Sequence, residues 1–108
     1  MTTGTQINDS TFAAEILDQP GLVAAKFTAE WCAPCRVLSP IFDAVATSYA
    51  GKARFVEVDG DASPQASVRF GVRGLPTILF FRDGEVVSRI VGAAPRGHIE
   101  KELDRLIG

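Results

Sequence analysis

An α/β fold, with a mixed central sheet covered by helices on both faces, is predicted by three features of the sequence. Residues 22–29 are a nearly continuous apolar run, as a strand covered on both faces requires, and residues 53–59 read as another central strand. Each run is followed by a segment with helical spacing or helix-start punctuation. Beyond them, 77–82 and 85–91 flank Asp83-Gly84, a two-residue signal for an antiparallel hairpin. Buried strands alternating with helices, then a hairpin, need complementary apolar surfaces that a helix-covered mixed sheet supplies.

In chain order, Asn8, Asp9 and Ser10 offer N-caps for a short helix carrying Phe12, Ile16 and Leu17 on one side and stopped by Pro20-Gly21. In the strand that follows, only Lys26 and Thr28 break the apolar run, which makes Lys26 conspicuous. From Pro34 onward, Leu38, Ile41, Phe42, Val45 and Tyr49 recur at helical spacing. Pro40 removes one backbone donor there and is expected to kink the helix. Gly51 ends that helix, the second strand follows, and Ser63-Pro64 provides a cap and first turn for a short helix ending near Phe70-Gly71. After the hairpin, Pro95 suits the first turn of a last helix whose Ile99, Leu103, Leu106 and Ile107 form an apolar stripe.

A chain of 108 residues with 46% hydrophobic content has room for one domain, taken as 1–108, and a core that needs no disulfide framework. Eleven Lys and Arg against thirteen Asp and Glu give a net charge of -2 without basic blocks, so no nucleic-acid partner is expected. The opening Met1-Thr2-Thr3-Gly4-Thr5 has neither the basic nor the apolar region of a signal peptide. No run approaches the roughly 18 apolar residues of a membrane span, so no membrane partner is expected and the compartment is read as cytoplasmic.

The whole cysteine content is Cys32 and Cys35, separated by Ala33 and Pro34. Two ligands cannot complete a tetrahedral zinc site, and the single histidine, His98, falls in the last helix, where it reads as a solvent-facing side chain. No metal is expected. A lone CxxC also fits a partial metal site, a surface disulfide or incidental thiols. Its place after an apolar strand and at a helix start favours redox chemistry, because exposed amides and the helix field stabilise a thiolate. Cys32, at the earlier end, is expected to be the more exposed nucleophile, and Cys35 the resolving thiol. Cys32 would form a mixed disulfide with the substrate, and Cys35 would release it. The chain has no nicotinamide or flavin fingerprint, so an external reductant is required.

Three stretches together resemble the thioredoxin family over essentially the whole chain: Ala29-Glu30-Trp31-Cys32-Ala33-Pro34-Cys35-Arg36, Gly71-Val72-Arg73-Gly74-Leu75-Pro76-Thr77, and Asp83-Gly84-Glu85-Val86 with Val91-Gly92-Ala93. The resemblance implies a five-stranded sheet, four surrounding helices, and a redox-active Cys32-Cys35 disulfide with no bound cofactor. It implies a monomer that reduces disulfide-containing proteins as a general electron carrier and is regenerated by a separate thioredoxin reductase using NADPH. It further implies a substrate groove with Leu75, Pro76 and Thr77 on one side and Trp31, Ala33, Pro34, Gly74, Gly92 and Ala93 around it. Backbone near Leu75 would pair with an extended substrate segment. On sequence alone a trans bond before Pro76 is favoured; the resemblance implies cis. Gly92 fits a bulge or turn equally well.

Three positions depart from the family pattern. Ala33 stands where Gly is usual, and Thr28 where Trp is usual, which either preserves strand packing with less volume or loosens and hydrates the site. Lys26 stands where a buried Asp is common, and an ammonium cannot accept a proton. Lys26 either snorkels outward and supports packing, or stabilises thiolate charge while a neutral lysine or a water connected to Glu57 supplies the base, or pairs with Glu57, leaving Glu57 to accept or relay a proton. Two other functions fit a thioredoxin-like chain. One is a specialised thiol-disulfide oxidoreductase with restricted substrates or another donor; the other is a non-enzymatic interaction subunit.

Overall fold

A computed structural model describes residues 6–108. The opening residues 1–5, on which the absence of a leader was inferred, lie outside the described residues. Among the described residues no helix is long and apolar enough to cross a membrane.

Five strands form one sheet in the order β1-β3-β2-β4-β5, comprising β1 (Gln6–Ile7), β2 (Leu22–Thr28), β3 (Arg54–Asp59), β4 (Thr77–Arg82) and β5 (Glu85–Val91). The β1–β3 and β2–β3 pairs are parallel, and the β2–β4 and β4–β5 pairs antiparallel. The central position of β2 explains its composition, since all seven of its residues are buried. Alternate side chains go to opposite faces. Leu22 and Ala24 join Leu38, Phe42, Val45, Ile99 and Leu103 in one core, while Val23, Ala25 and Phe27 join Ile7, Phe12 and Ile16 in the other. Lys26 shares the parity of Leu22 and Ala24 and therefore faces the helix that carries Phe42.

That helix, α1 (Ala33–Ser48), runs continuously past Pro40. With α3 (Arg96–Ile107) it covers one sheet face; α2 (Pro64–Arg69) and a short π-helical segment, Ala13–Leu17, cover the other. Asp83 and Gly84 have φ of 50° and 87°, the pair of positive values that a tight hairpin of right-handed twist requires. Gly84 also meets a packing limit, because a Cβ there would lie 2.6 Å from the Leu17 carbonyl oxygen.

Four local expectations are corrected. Asn8 does not cap the first helix; its Oδ1 accepts from the Ser10 and Thr11 amides at 2.9 and 3.2 Å and closes a preceding turn. Ser63 does not cap α2 through its side chain, because its hydroxyl donates to the Ile7 carbonyl. Asp9 does so instead, its two carboxylate oxygens accepting from Gln65 and Ala66 amides at 3.0 Å each. In α3, Pro95 is the N-cap, and Ile107 lies outside the buried stripe at 41% exposure. β1 was not legible as a strand, since two residues are too short to show periodicity.

Candidate active site

Cys32 is the N-cap residue of α1, with extended backbone, and Ala33, Pro34 and Cys35 form the first turn. Proline suits this turn because a first-turn amide has no intrahelical acceptor. The two cysteines are joined as a disulfide with Cα atoms 5.3 Å apart. The Cys35 amide donates to Cys32 Sγ at 3.2 Å. A donor and a helix N-terminus thus face Cys32 Sγ, the arrangement that stabilises a sulfur anion.

The expected exposure of Cys32 is absent from this disulfide form: Cys32 is 4% and Cys35 2% exposed. Both pack with Ala29 and against Leu75. The surface above them is apolar and open. Trp31 is 67% exposed, and its Nε1 donates to Asp61 Oδ2 at 2.8 Å. Ala33, Pro34, Gly74 and Ala93 are exposed, and Leu75 and Gly92 half-buried.

The Leu75-Pro76 peptide is cis. Pro76 and Thr77 are buried, and the Thr77 hydroxyl donates to the Gly74 carbonyl at 2.7 Å. Thr77 therefore shapes the loop from beneath and does not offer its side chain to the surface. Gly92, at φ 91°, donates its amide to the Pro76 carbonyl at 2.8 Å, tying the end of β5 to this loop. Neighbouring Val91 is 68% exposed and was missed as a surface residue; its place at the strand end, beside a glycine, was the available signal.

Behind Cys35, Lys26 and Glu57 are direct register partners on β2 and β3. Lys26 Nζ lies 3.2 Å from Glu57 Oε1, with the Lys26 side chain 1% and the Glu57 side chain 14% exposed. Lys26 therefore does not snorkel to solvent. Nζ also donates to Ser39 Oγ at 2.8 Å and stands 5.2 Å from the Phe42 ring centre. Ion pair, hydroxyl and ring face together compensate a buried ammonium. Thr28 is 8% exposed and borders a cleft of about 390 Å³ that also meets Gln6, Cys35, Arg36, Ser39 and Glu57. The smaller side chain thus both packs in β2 and walls an open space beside Cys35. Ser39 escaped the sequence reading, although its place one helical turn after Cys35 was a usable signal. His98 is exposed on α3.

Comparison with known proteins bears on the same features. The family model described as Thioredoxin matches residues 4–105. Thioredoxin 1 of Nostoc sp. is 38% identical over 105 residues, covering 97% of this chain and 98% of the relative. Thioredoxin C-2 of Corynebacterium nephridii is 39% identical over 99 residues, 92% of each chain. Thioredoxin M4, chloroplastic, of Arabidopsis thaliana is 38% identical over 101 residues, which is 94% of this chain and 52% of that protein. Neither a specialised donor nor a non-enzymatic role is favoured by these relatives, and the redox group is the chain's own Cys32–Cys35 disulfide. With full-length relatives of this kind and a dithiol pair at the start of α1, the chain belongs to the thioredoxin family and is a protein-disulfide reductase working by thiol-disulfide exchange.

Proposed function

We propose that Cys32 is the attacking nucleophile and Cys35 the resolving thiol of a general protein-disulfide reductase. The observation that carries the assignment is the N-cap position of Cys32, whose sulfur accepts the Cys35 amide at 3.2 Å. In the reduced protein, Cys32 thiolate attacks a substrate disulfide sulfur; the substrate S–S bond breaks and a mixed disulfide forms. Cys35 loses its proton and attacks Cys32 Sγ. The bond to substrate breaks, the substrate leaves as a thiolate that takes up a proton, and the chain is left with its own disulfide. Two electrons have passed to substrate.

The apolar rim of Trp31, Ala33, Pro34, Gly74, Leu75, Gly92 and Ala93 receives the substrate, with Pro76 and Thr77 shaping it from below. A substrate segment in extended form pairs with backbone at Leu75. Glu57, paired with Lys26 at 3.2 Å and bordering the cleft, takes the proton from Cys35. Residues 1–108 act as one domain and as a monomer.

A separate thioredoxin reductase, drawing on NADPH, returns the disulfide to the dithiol. The compartment is the cytoplasm, a reading supported by cysteine use confined to the redox pair, although one relative carries a chloroplastic name. A reconstituted assay with thioredoxin reductase, NADPH and a protein disulfide tests the whole reading. Coupled turnover by the intact chain, lost in Cys32→Ser, is expected. Cys35→Ser is expected to accumulate mixed disulfide instead. Turnover surviving in Cys32→Ser overturns the nucleophile assignment, and turnover only with another reductant overturns the partner. Fractionation of the producing cells, with the chain found outside the cytoplasm, overturns the compartment.

A further inference from the structure

We propose that Ser39 is a positioning residue for the resolving half of the reaction, holding the buried Lys26 ammonium against the Cys35 end of α1. The proposal rests on the reading of Cys35 as the resolving thiol.

A serine hydroxyl has one proton to donate and two lone pairs to accept with. Ser39 Oγ donates that proton to the Cys35 carbonyl at 3.0 Å, which leaves its lone pairs for Lys26 Nζ at 2.8 Å. The hydroxyl thereby joins the main chain of the resolving cysteine to the buried cation. Lys26 Nζ is held on its other side by Glu57 Oε1 at 3.2 Å. Without the hydroxyl, Glu57 would be the remaining polar partner found for the ammonium, drawing it toward β3 and away from α1. Glu57 Oε2 accepts from Gln6 Nε2 at 3.4 Å, at the limit of a hydrogen bond, so this carboxylate has one oxygen occupied by Lys26 and one facing other cleft residues.

The charged residues lining the cleft beside Cys35 are Glu57 on β3, Glu30 in the connection after β2 and Arg36 on α1, with Gln6 of β1 uncharged, and Lys26 on β2 lies buried behind them against Glu57 and Ser39. Arg36 is an exposed cation at the cleft mouth, its guanidinium donating to the Glu30 carbonyl at 2.7 Å. Lys26 is the buried cation tied to the Cys35 turn, and Ser39 is the link. A nearby positive charge favours thiolate over thiol. Cys35 must pass through the thiolate to attack Cys32 Sγ, so the position of Lys26 sets the pH at which resolution becomes fast.

The test separates the two sulfur steps with the chromogenic aromatic disulfide DTNB, used at one equivalent with the reduced full chain in stopped flow. Attack by Cys32 on one DTNB sulfur releases a first nitrothiobenzoate. Attack by Cys35 on Cys32 Sγ releases a second and leaves the protein disulfide, so one DTNB takes two electrons from the dithiol. Ser39→Ala is expected to leave the first phase within about twofold of wild type. The second phase should slow about three- to tenfold at neutral pH, its rising limb moving to higher pH by roughly half to one unit. Ser39→Thr, which keeps a hydroxyl, is expected to restore the limb. A Ser39→Ala protein whose second phase keeps the wild-type limb overturns the proposal, even with lowered urea stability, since that is what a purely structural serine would do. Glu57→Gln distinguishes the underlying readings: a shifted Ser39→Ala limb with an unshifted Glu57→Gln limb supports Ser39 and removes Glu57 as proton acceptor. A wild-type protein that releases only one nitrothiobenzoate overturns the resolving role of Cys35 and the proposal with it.

Discussion

Lys26 and Glu57 stand opposite each other in register on the parallel strands β2 and β3, with Nζ and Oε1 3.2 Å apart and the ammonium almost wholly buried. Aligned residues of neighbouring strands project to the same face, so strand register alone delivers the carboxylate to the lysine.

The two partners are not equally exposed, so breaking the pair should be asymmetric. Glu57→Gln leaves the ammonium buried without its counter-ion and is expected to cost about 3 kcal/mol. Lys26→Met leaves a carboxylate that the cleft can hydrate and is expected to cost less, about 1 to 2 kcal/mol. The double variant should be destabilised by clearly less than the two losses added together. Urea unfolding of the four proteins measures the coupling. Additive losses, combined with unchanged resolution kinetics in both single variants, would sink the paired-charge reading.

Asp9, in the turn after β1, caps α2 with both oxygens on helix-start amides. Charge-assisted bonds at a helix N-terminus are stronger than neutral ones. Asp9→Ala is therefore expected to destabilise the protein by about 1 to 2 kcal/mol, and Ser63→Ala to do so through loss of its bond to Ile7 and not through helix capping. Amide hydrogen exchange within 64–69 discriminates the two: faster exchange is expected in Asp9→Ala. Equal protection in Asp9→Ala and wild type would remove the capping role.

The Glu102 carboxyl is held down to about 2, first by the hydrogen bonds from Arg105 and next by the Ser88 hydroxyl. Its folded value lies below the unfolded one of roughly 4.3. The stability it contributes is thus fully present above about pH 4.3 and is lost as pH falls through about 2. Arg105 is 61% exposed at its side chain, so water and salt screen the pair. Glu102→Gln is expected to lower stability at neutral pH by no more than about 1 kcal/mol. That difference from wild type should shrink as denaturation midpoints are followed down toward pH 2. A difference that stays constant across the acid range would show that the carboxylate charge contributes nothing.

The sequence by itself determined what depends on neighbours along the chain. The apolar run of β2, the Asp83-Gly84 hairpin, the helical spacing of Leu38, Phe42 and Val45, and the CxxC at a helix start are local or periodic signals, and each appears where it was expected. The cis bond before Pro76 was legible only through family resemblance, because a proline in isolation favours trans. The tertiary structure decided everything that distant segments do to one another. Asp9 reaches a helix 56 residues away, and no local rule ranks it above the adjacent Ser63. Thr77 is buried with its hydroxyl turned back to Gly74, and Cys32 is packed against Ala29 and Leu75 in the disulfide form. Lys26 and Glu57 were conspicuous as charges in apolar strands, and their pairing was expected once the family fold placed those strands side by side. Spacing alone could not bring them together. The packing of β2 and β3 under α1 then put them in the same register and left Ser39 within reach of the ammonium. A charge in an apolar strand announces that it needs a partner; only the packed sheet and helix supply one.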